Sequence, residues 1–281
     1  MRWKDEGRSS DVEDRRGAGG LGGLPIGGAH IGIGGFILLL VLSFVFKRNF
    51  LSLVGTDTSS PIEASRPVDD PREEPEVRFV SFVFDDAQRT WEQLLAGKGV
   101  QYRHAKLVLF RDATQSGCGF AQSATGPFYC PEDEKVYIDL SFYDELKQRF
   151  GAPGEFAQAY VLAHEIGHHV QKILGIEQKV QRAMGADPRQ ANAMSVRLEL
   201  QADCLAGVWG HSTSERNLLE QGDVESGLRA AAAVGDYRLQ KMSTGHVTPD
   251  SFTHGSSEQR SHWFQLGFNS GKIQDCNTFA P

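Results

Sequence analysis

Apolar and polar positions change their period several times along the chain, and those changes divide it. Residues 1–23 (MRWKDEGRSSDVEDRRGAGGLGG) are charged, then glycine-rich, and show no apolar period, which predicts no packed element. Residues 24–46 are apolar almost throughout, with His30 the one ionisable group, and are closed by Lys47 and Arg48. That run has about the 20-residue length that crosses a bilayer core, and it predicts one transmembrane helix. Residues 47–77 include a stretch rich in Pro, Ser, Asp and Glu, and read as a flexible linker. From residue 78 to 281 the alternation is that of a folded domain. A short apolar run at 77–84 leads into a helix ending near Gly97. LVLF (107–110) and KVYIDL (135–140) read as strands, and a helix follows from Ser141 through Phe150. Gly151, Pro153 and Gly154 then break the chain before a long apolar helix that stops before Gly175. A further helix covers 191–209, and a helical tail runs from Leu218 through Leu239. Strands followed by helices predict an α+β fold, mostly helical with a small sheet.

Charge refines this picture in two ways. The net charge of −7 offers no basic field, so nucleic acid is not an expected partner. Arg2, Lys4, Arg8, Arg15 and Arg16 precede the apolar run, whereas only Lys47 and Arg48 closely follow it. This bias predicts a cytoplasmic tail and an exported domain, periplasmic or extracellular. Export permits disulfides. None of Cys118, Cys130, Cys204 and Cys276 forms a C-x-x-C pair, so a thiolate metal knuckle is not indicated. A Cys118–Cys130 bridge would staple the glycine-bearing loop between them, and Cys204 with Cys276 could make a second; four unpaired buried thiols are the alternative.

The long helix EFAQAYVLAHEIGHHVQKIL is apolar nearly all round, as a buried central helix is. In its middle sit His164, Glu165 and His168, groups that need partners in an interior. His164 and His168, four apart, share one face and suit two corners of a zinc tetrahedron. Glu165 lies beside them and can reach water at the metal without ligating it, the H-E-x-x-H arrangement of metallopeptidases. His169 is rotated off that face and reads as structural. A catalytic zinc takes three protein ligands. The position six residues after His168, where one extended motif has a histidine, is Leu174. Glu199, on the 191–209 helix, is the candidate third ligand, with Asp203 one turn on to hold a ligand histidine through its other ring nitrogen. Pairing of both carboxylates with Arg197 or solvent is the competing reading.

HEIGHH, then RLELQADCLAGVW, then FTHGSSEQR and a closing CNTF, resembles the neutral zinc metallopeptidase family of bacterial membrane proteins, as does the charged N-terminus followed by a span. The E-x-x-A-D helix is also similar to that of the CAAX-processing and heat-shock membrane endopeptidases, whose glutamate is the third zinc ligand. The resemblance covers nearly the whole chain. It implies a zincin-like (gluzincin-like) domain with one zinc on His164, His168 and Glu199, with Asp203 behind them. It further implies a single-pass protein of the bacterial inner membrane, acting on peptide or protein substrates. Glu165 is then the general base, and His254, with Arg260 and Tyr237 behind it, the candidate donor to the oxyanion; His246 reads as a surface residue. KVYIDL is a candidate edge strand for aligning substrate. A silent metal-binding adaptor and a non-peptidase zinc amidase are the alternatives.

Overall fold

The structure, a computed structural model, describes residues 1–17, 71–123, 126–148, 151–152, 154–233 and 254–280. The predicted span, most of the predicted linker, Tyr237 and His246 lie outside the described residues. Among the described residues no helix is long and apolar enough to cross a membrane. The fold is mixed and mostly helical. Its strands are β1 (Val12–Asp14), β2 (Lys106–Phe110), β3 (Ala113–Ser116), β4 (Gly119–Gln122), β5 (Phe128–Cys130) and β6 (Lys135–Asp139). Its α-helices are α1 (Glu74–Ala96), α2 (Ser141–Gln148), α3 (Glu155–Ile173), α4 (Ile176–Ala186), α5 (Ala191–Glu215), α6 (Asp223–Ala233) and α7 (Ser257–Ser270).

One sheet runs β1-β2-β6-β5, with β1–β2 and β2–β6 parallel and β5–β6 antiparallel; β3 and β4 form a separate hairpin. The continuous apolar runs of β2 and β6 follow from burial on both faces, four of five residues in each being buried. The sheet edge expected of KVYIDL therefore falls to β5, since β6 lies inside. The apolar residues at 77–84 form the first turns of α1, whose Val77, Val80, Phe84 and Trp91 are wholly buried. Helices α3, α5 and α7 pack with backbones nearly touching. A Cβ on Gly207 or Gly267 would overlap the facing backbone of α7 or α5, and one on Gly167 would lie 3.0 Å from the Ala202 carbonyl. Small residues at these crossings let α3 and α5 approach closely enough for their polar groups to meet.

The reading of residues 1–23 as holding no packed element is corrected for residues 1–16. Val12, Glu13 and Asp14 pair in register with Leu107, Val108 and Leu109. Trp3 packs edge-on against Phe79 at 5.5 Å between centroids, and its Nε1 donates to Glu155 at 3.1 Å. The basic residues taken as an orientation signal are used inside the fold. Arg8 pairs with Glu74, Arg15 with Glu13, and the buried Arg16 with Asp14 at 2.6 Å and Glu73 at 2.7 Å. The arm escapes periodicity analysis because its three-residue strand bonds through backbone at a sheet edge, and Arg8 and Arg16 reach Glu74 and Glu73, 66 and 57 positions away. An arm built into the sheet stays on the domain's side of any membrane, so a single crossing that parts residues 1–16 from the domain does not accommodate it. All four cysteines are in disulfides, so introduced thiols can be labelled cleanly. Cysteines at the exposed positions Lys4 and Gln265 are expected to react with a membrane-impermeant maleimide from the same side in intact cells. Labelling from opposite sides would restore the parted arrangement.

Candidate metal centre

Helix α3 begins after Gly154 and stops at Leu174, where Gly175 takes φ +67°, a left-handed conformation that glycine adopts without strain. Its apolar residues fill the core on several sides, which leaves His164 only 6 % and Glu165 only 7 % exposed. The His164 and His168 rings stand edge to face with centroids 4.8 Å apart. Across the α3–α5 crossing, Glu199 enters the same space. One ligand atom from each of His164, His168 and Glu199 lies within 4.8 Å of the others, so these three residues could hold one metal ion.

Hydrogen bonding sorts the ring nitrogens. His164 Nδ1 lies 2.9 Å from Asp203 Oδ1 and His168 Nδ1 2.9 Å from Gln171 Oε1. An ionised carboxylate only accepts, so His164 carries its proton on Nδ1. The two Nε2 atoms instead approach Glu199, at 3.2 Å from Oε2 and 3.4 Å from Oε1. Two imidazole nitrogens and a carboxylate oxygen, with the far ring nitrogens held by outer partners, are a donor set that fits zinc with an open fourth position. The acidic groups around the rings favour a positive charge at this point. Burial alone would push His164 down, but Asp203 and Glu199 outweigh it, against the opposing Arg260, and lift it to about 9. His168 is raised against its burial by Glu199, and Glu199 is held well below the usual carboxylate range by the two histidines despite its burial.

Asp203 is the centre of a second layer. It is fully buried and bonds Arg260 twice, Nε to Oδ2 at 2.8 Å and Nη2 to Oδ1 at 2.9 Å, and it accepts from the Tyr160 hydroxyl. Arg260, itself 3 % exposed, was expected behind His254 but is bound to this carboxylate. His254 is exposed at the bend before α7 and is not among the groups gathered at the cluster. Tyr160 and Gln171 were not singled out from sequence. Each was discoverable, as residues one turn before His164 and three residues after His168 on the same helix. Helix α7, which delivers Arg260, carries a sequence signal too: Ser256 and Gln259 form a capping box. His169 sits on the opposite side of α3, fully buried, with Nε2 donating to the Arg103 carbonyl at 2.6 Å and Nδ1 2.9 Å from the Tyr129 hydroxyl. It ties the helix to β5 and to the turn before β2, and burial keeps its pKa low.

Glu165 is placed differently from all of these. Among the described residues nothing hydrogen-bonds its carboxylate, yet it lies near enough to His168 to help raise that ring's pKa. Both disulfides bracket the region. Cys118–Cys130 ties the β3–β4 hairpin to β5, and Cys204–Cys276 ties the C-terminal segment to α5 beside Asp203.

Residues 1–279 match the family described as putative neutral zinc metallopeptidase. Among curated relatives, the chain is similar to an Escherichia coli K12 protein named "Uncharacterized protein YpfJ", 49 % identical across all of this chain and 99 % of that one. It is also similar to "Uncharacterized protein Mb2605" of Mycobacterium bovis and "Uncharacterized protein Rv2575" of Mycobacterium tuberculosis, each 42 % identical over 68 % of this chain and 66 % of the relative. No solved structure matches.

Proposed function

The chain belongs to the putative neutral zinc metallopeptidase family, and we propose that it is a zinc-dependent endopeptidase using Glu165 as general base. The observation that carries this reading is the meeting of His164, His168 and Glu199 at one point, with the unbonded carboxylate of Glu165 buried beside it. Zinc held there supplies a Lewis acid that polarises the scissile carbonyl and makes water more acidic. Glu165 takes a proton from the attacking water on its carboxylate and returns it to the leaving amide nitrogen, so the carboxylate ends the cycle ionised. Asp203, fixed by Arg260 and Tyr160, keeps the His164 proton on Nδ1 and so keeps Nε2 available as a ligand. Strand β5 lies at the sheet edge next to α3 and offers a substrate backbone a place to pair. Attachment to a bacterial inner membrane through residues 24–46, with the domain periplasmic or extracellular, is the accompanying reading. The apolar character of the run and the two disulfides support it, with residues 1–16 on the domain's side.

The test uses the full chain, because the arm is part of the sheet. One zinc per chain and cleavage of an unfolded protein substrate are expected, with activity abolished by a chelator and restored by zinc. A Glu199→Ala chain serves as the variant that loses the metal. A folded chain that binds no zinc when zinc is offered would sink the reading.

A further inference from the structure

The two ligand histidines are held by unlike partners. His164 faces the charged Asp203, whereas His168 faces the neutral amide of Gln171, which is fully buried. An amide can present either oxygen or nitrogen to a ring, so Gln171 fixes the His168 proton only if something fixes Gln171. A backbone carbonyl and a second amide do. Gln171 Nε2 donates to the Leu198 carbonyl at 2.7 Å and to Gln201 Oε1 at 3.1 Å. Gln201 Nε2 in turn donates to the Cys276 carbonyl at 2.8 Å. Carbonyls only accept, so each amide must turn its nitrogen toward them. The oxygen of Gln201 then faces Gln171, and the oxygen of Gln171 faces His168 Nδ1, which must carry the hydrogen. The relay has one consistent direction from the ring to the C-terminal segment, and that segment is anchored to α5 by the Cys204–Cys276 bridge.

We propose that Gln171, oriented by the Leu198 carbonyl and by Gln201, is the positioning residue that presents His168 Nε2 to the metal. The inference rests on reading the cluster as a zinc site. It differs from the Asp203 arrangement in adding no charge, so the site gains a fixed tautomer without a further carboxylate in its interior. It also gives the C-terminal segment a role at the metal that neither its position in the chain nor its exposed neighbours suggest.

The experiment measures zinc affinity of the full chain by chelator competition. It also uses nitrogen-labelled histidine with cadmium in place of zinc, where NMR coupling reports which ring nitrogen ligates. Gln171→Leu removes the acceptor while keeping the volume nearly constant. It is expected to bind zinc about 10- to 100-fold more weakly, the range for losing an outer partner of a ligand histidine. The single Nε2 coupling of His168 is expected to become mixed or to vanish. Gln201→Leu leaves Gln171 held by the Leu198 carbonyl alone, and is expected to show a smaller loss in the same direction; it carries the test should Gln171→Leu fail to fold. A lowered thermal midpoint with unchanged affinity and unchanged coupling at His168 would mean that the amides only support packing, and would overturn the proposal. These readouts do not involve hydrolysis, so a chain that binds zinc through this relay but cleaves nothing would defeat the peptidase reading alone. A chain that binds no zinc would remove both.

Discussion

Glu165→Gln is expected to leave one zinc per chain bound and to lower peptide hydrolysis by about 10²- to 10⁴-fold, the usual contribution of a positioned general base. The substitution keeps shape and volume and removes the charge together with the capacity to take a proton. No described residue hydrogen-bonds the Glu165 carboxylate, so no internal bond is lost and the thermal midpoint is expected to stay close to that of the native chain. Metal is retained because the ligand set is His164, His168 and Glu199. Zinc content, thermal midpoint and turnover measured on the same preparation separate the alternatives. An adaptor keeps whatever cellular role it has when Glu165 is changed, since scaffolding needs no base. A zinc amidase loses activity as a peptidase does, and differs in cleaving none of a panel of unfolded proteins before the change. Loss of zinc in Glu165→Gln would instead place this side chain among the ligands and contradict the geometry.

The elements that could be read from sequence are those whose burial is continuous or periodic within their own length. Helix α3 was legible to within a residue because a glycine stands at each end and its apolar residues fill its whole circumference. Strands β2 and β6 were legible as apolar runs. The arm at 1–16, strand β5 and the β3–β4 hairpin were not, because they are short and held by backbone pairing, distant ion pairs or a disulfide rather than by an apolar pattern. Helix α7 has little amphipathic contrast to mark it; one face is glycine and aromatic against α5, and only its capping box shows in the sequence. At the metal centre the split follows the same line. His164 with His168, and Glu199 with Asp203, each lie four apart on one helix, a spacing that declares a shared face. Arg260 comes from a helix 96 positions beyond His164, so its partner is fixed by tertiary packing and not by any spacing in the sequence.

The pairing of Arg260 with Asp203 has a large measurable consequence. Arg260→Met is expected to destabilise the metal-free fold by about 3–5 kcal/mol, the cost of leaving one member of a buried ion pair without the other. Methionine fills much of the same space, so the deficit is mainly electrostatic. Asp203, fully buried, would be left with the Tyr160 hydroxyl and His164 as its donors. The pH dependence follows from the sign of the Asp203 shift. Burial alone would raise its pKa, but Arg260 and His164 hold it below the ordinary 3.8. A carboxyl depressed in the folded state contributes stability above its unfolded value and loses it as pH falls through the lower folded value. Without Arg260 that depression shrinks. The variant's deficit is therefore expected to be full at neutral pH and to narrow below about pH 4, where a buried carboxyl can be neutral at little cost. Urea unfolding of chelated protein at pH 7 and about pH 3 measures it. A residue serving only as an oxyanion donor behind His254 would lower turnover and leave both urea midpoints where they were.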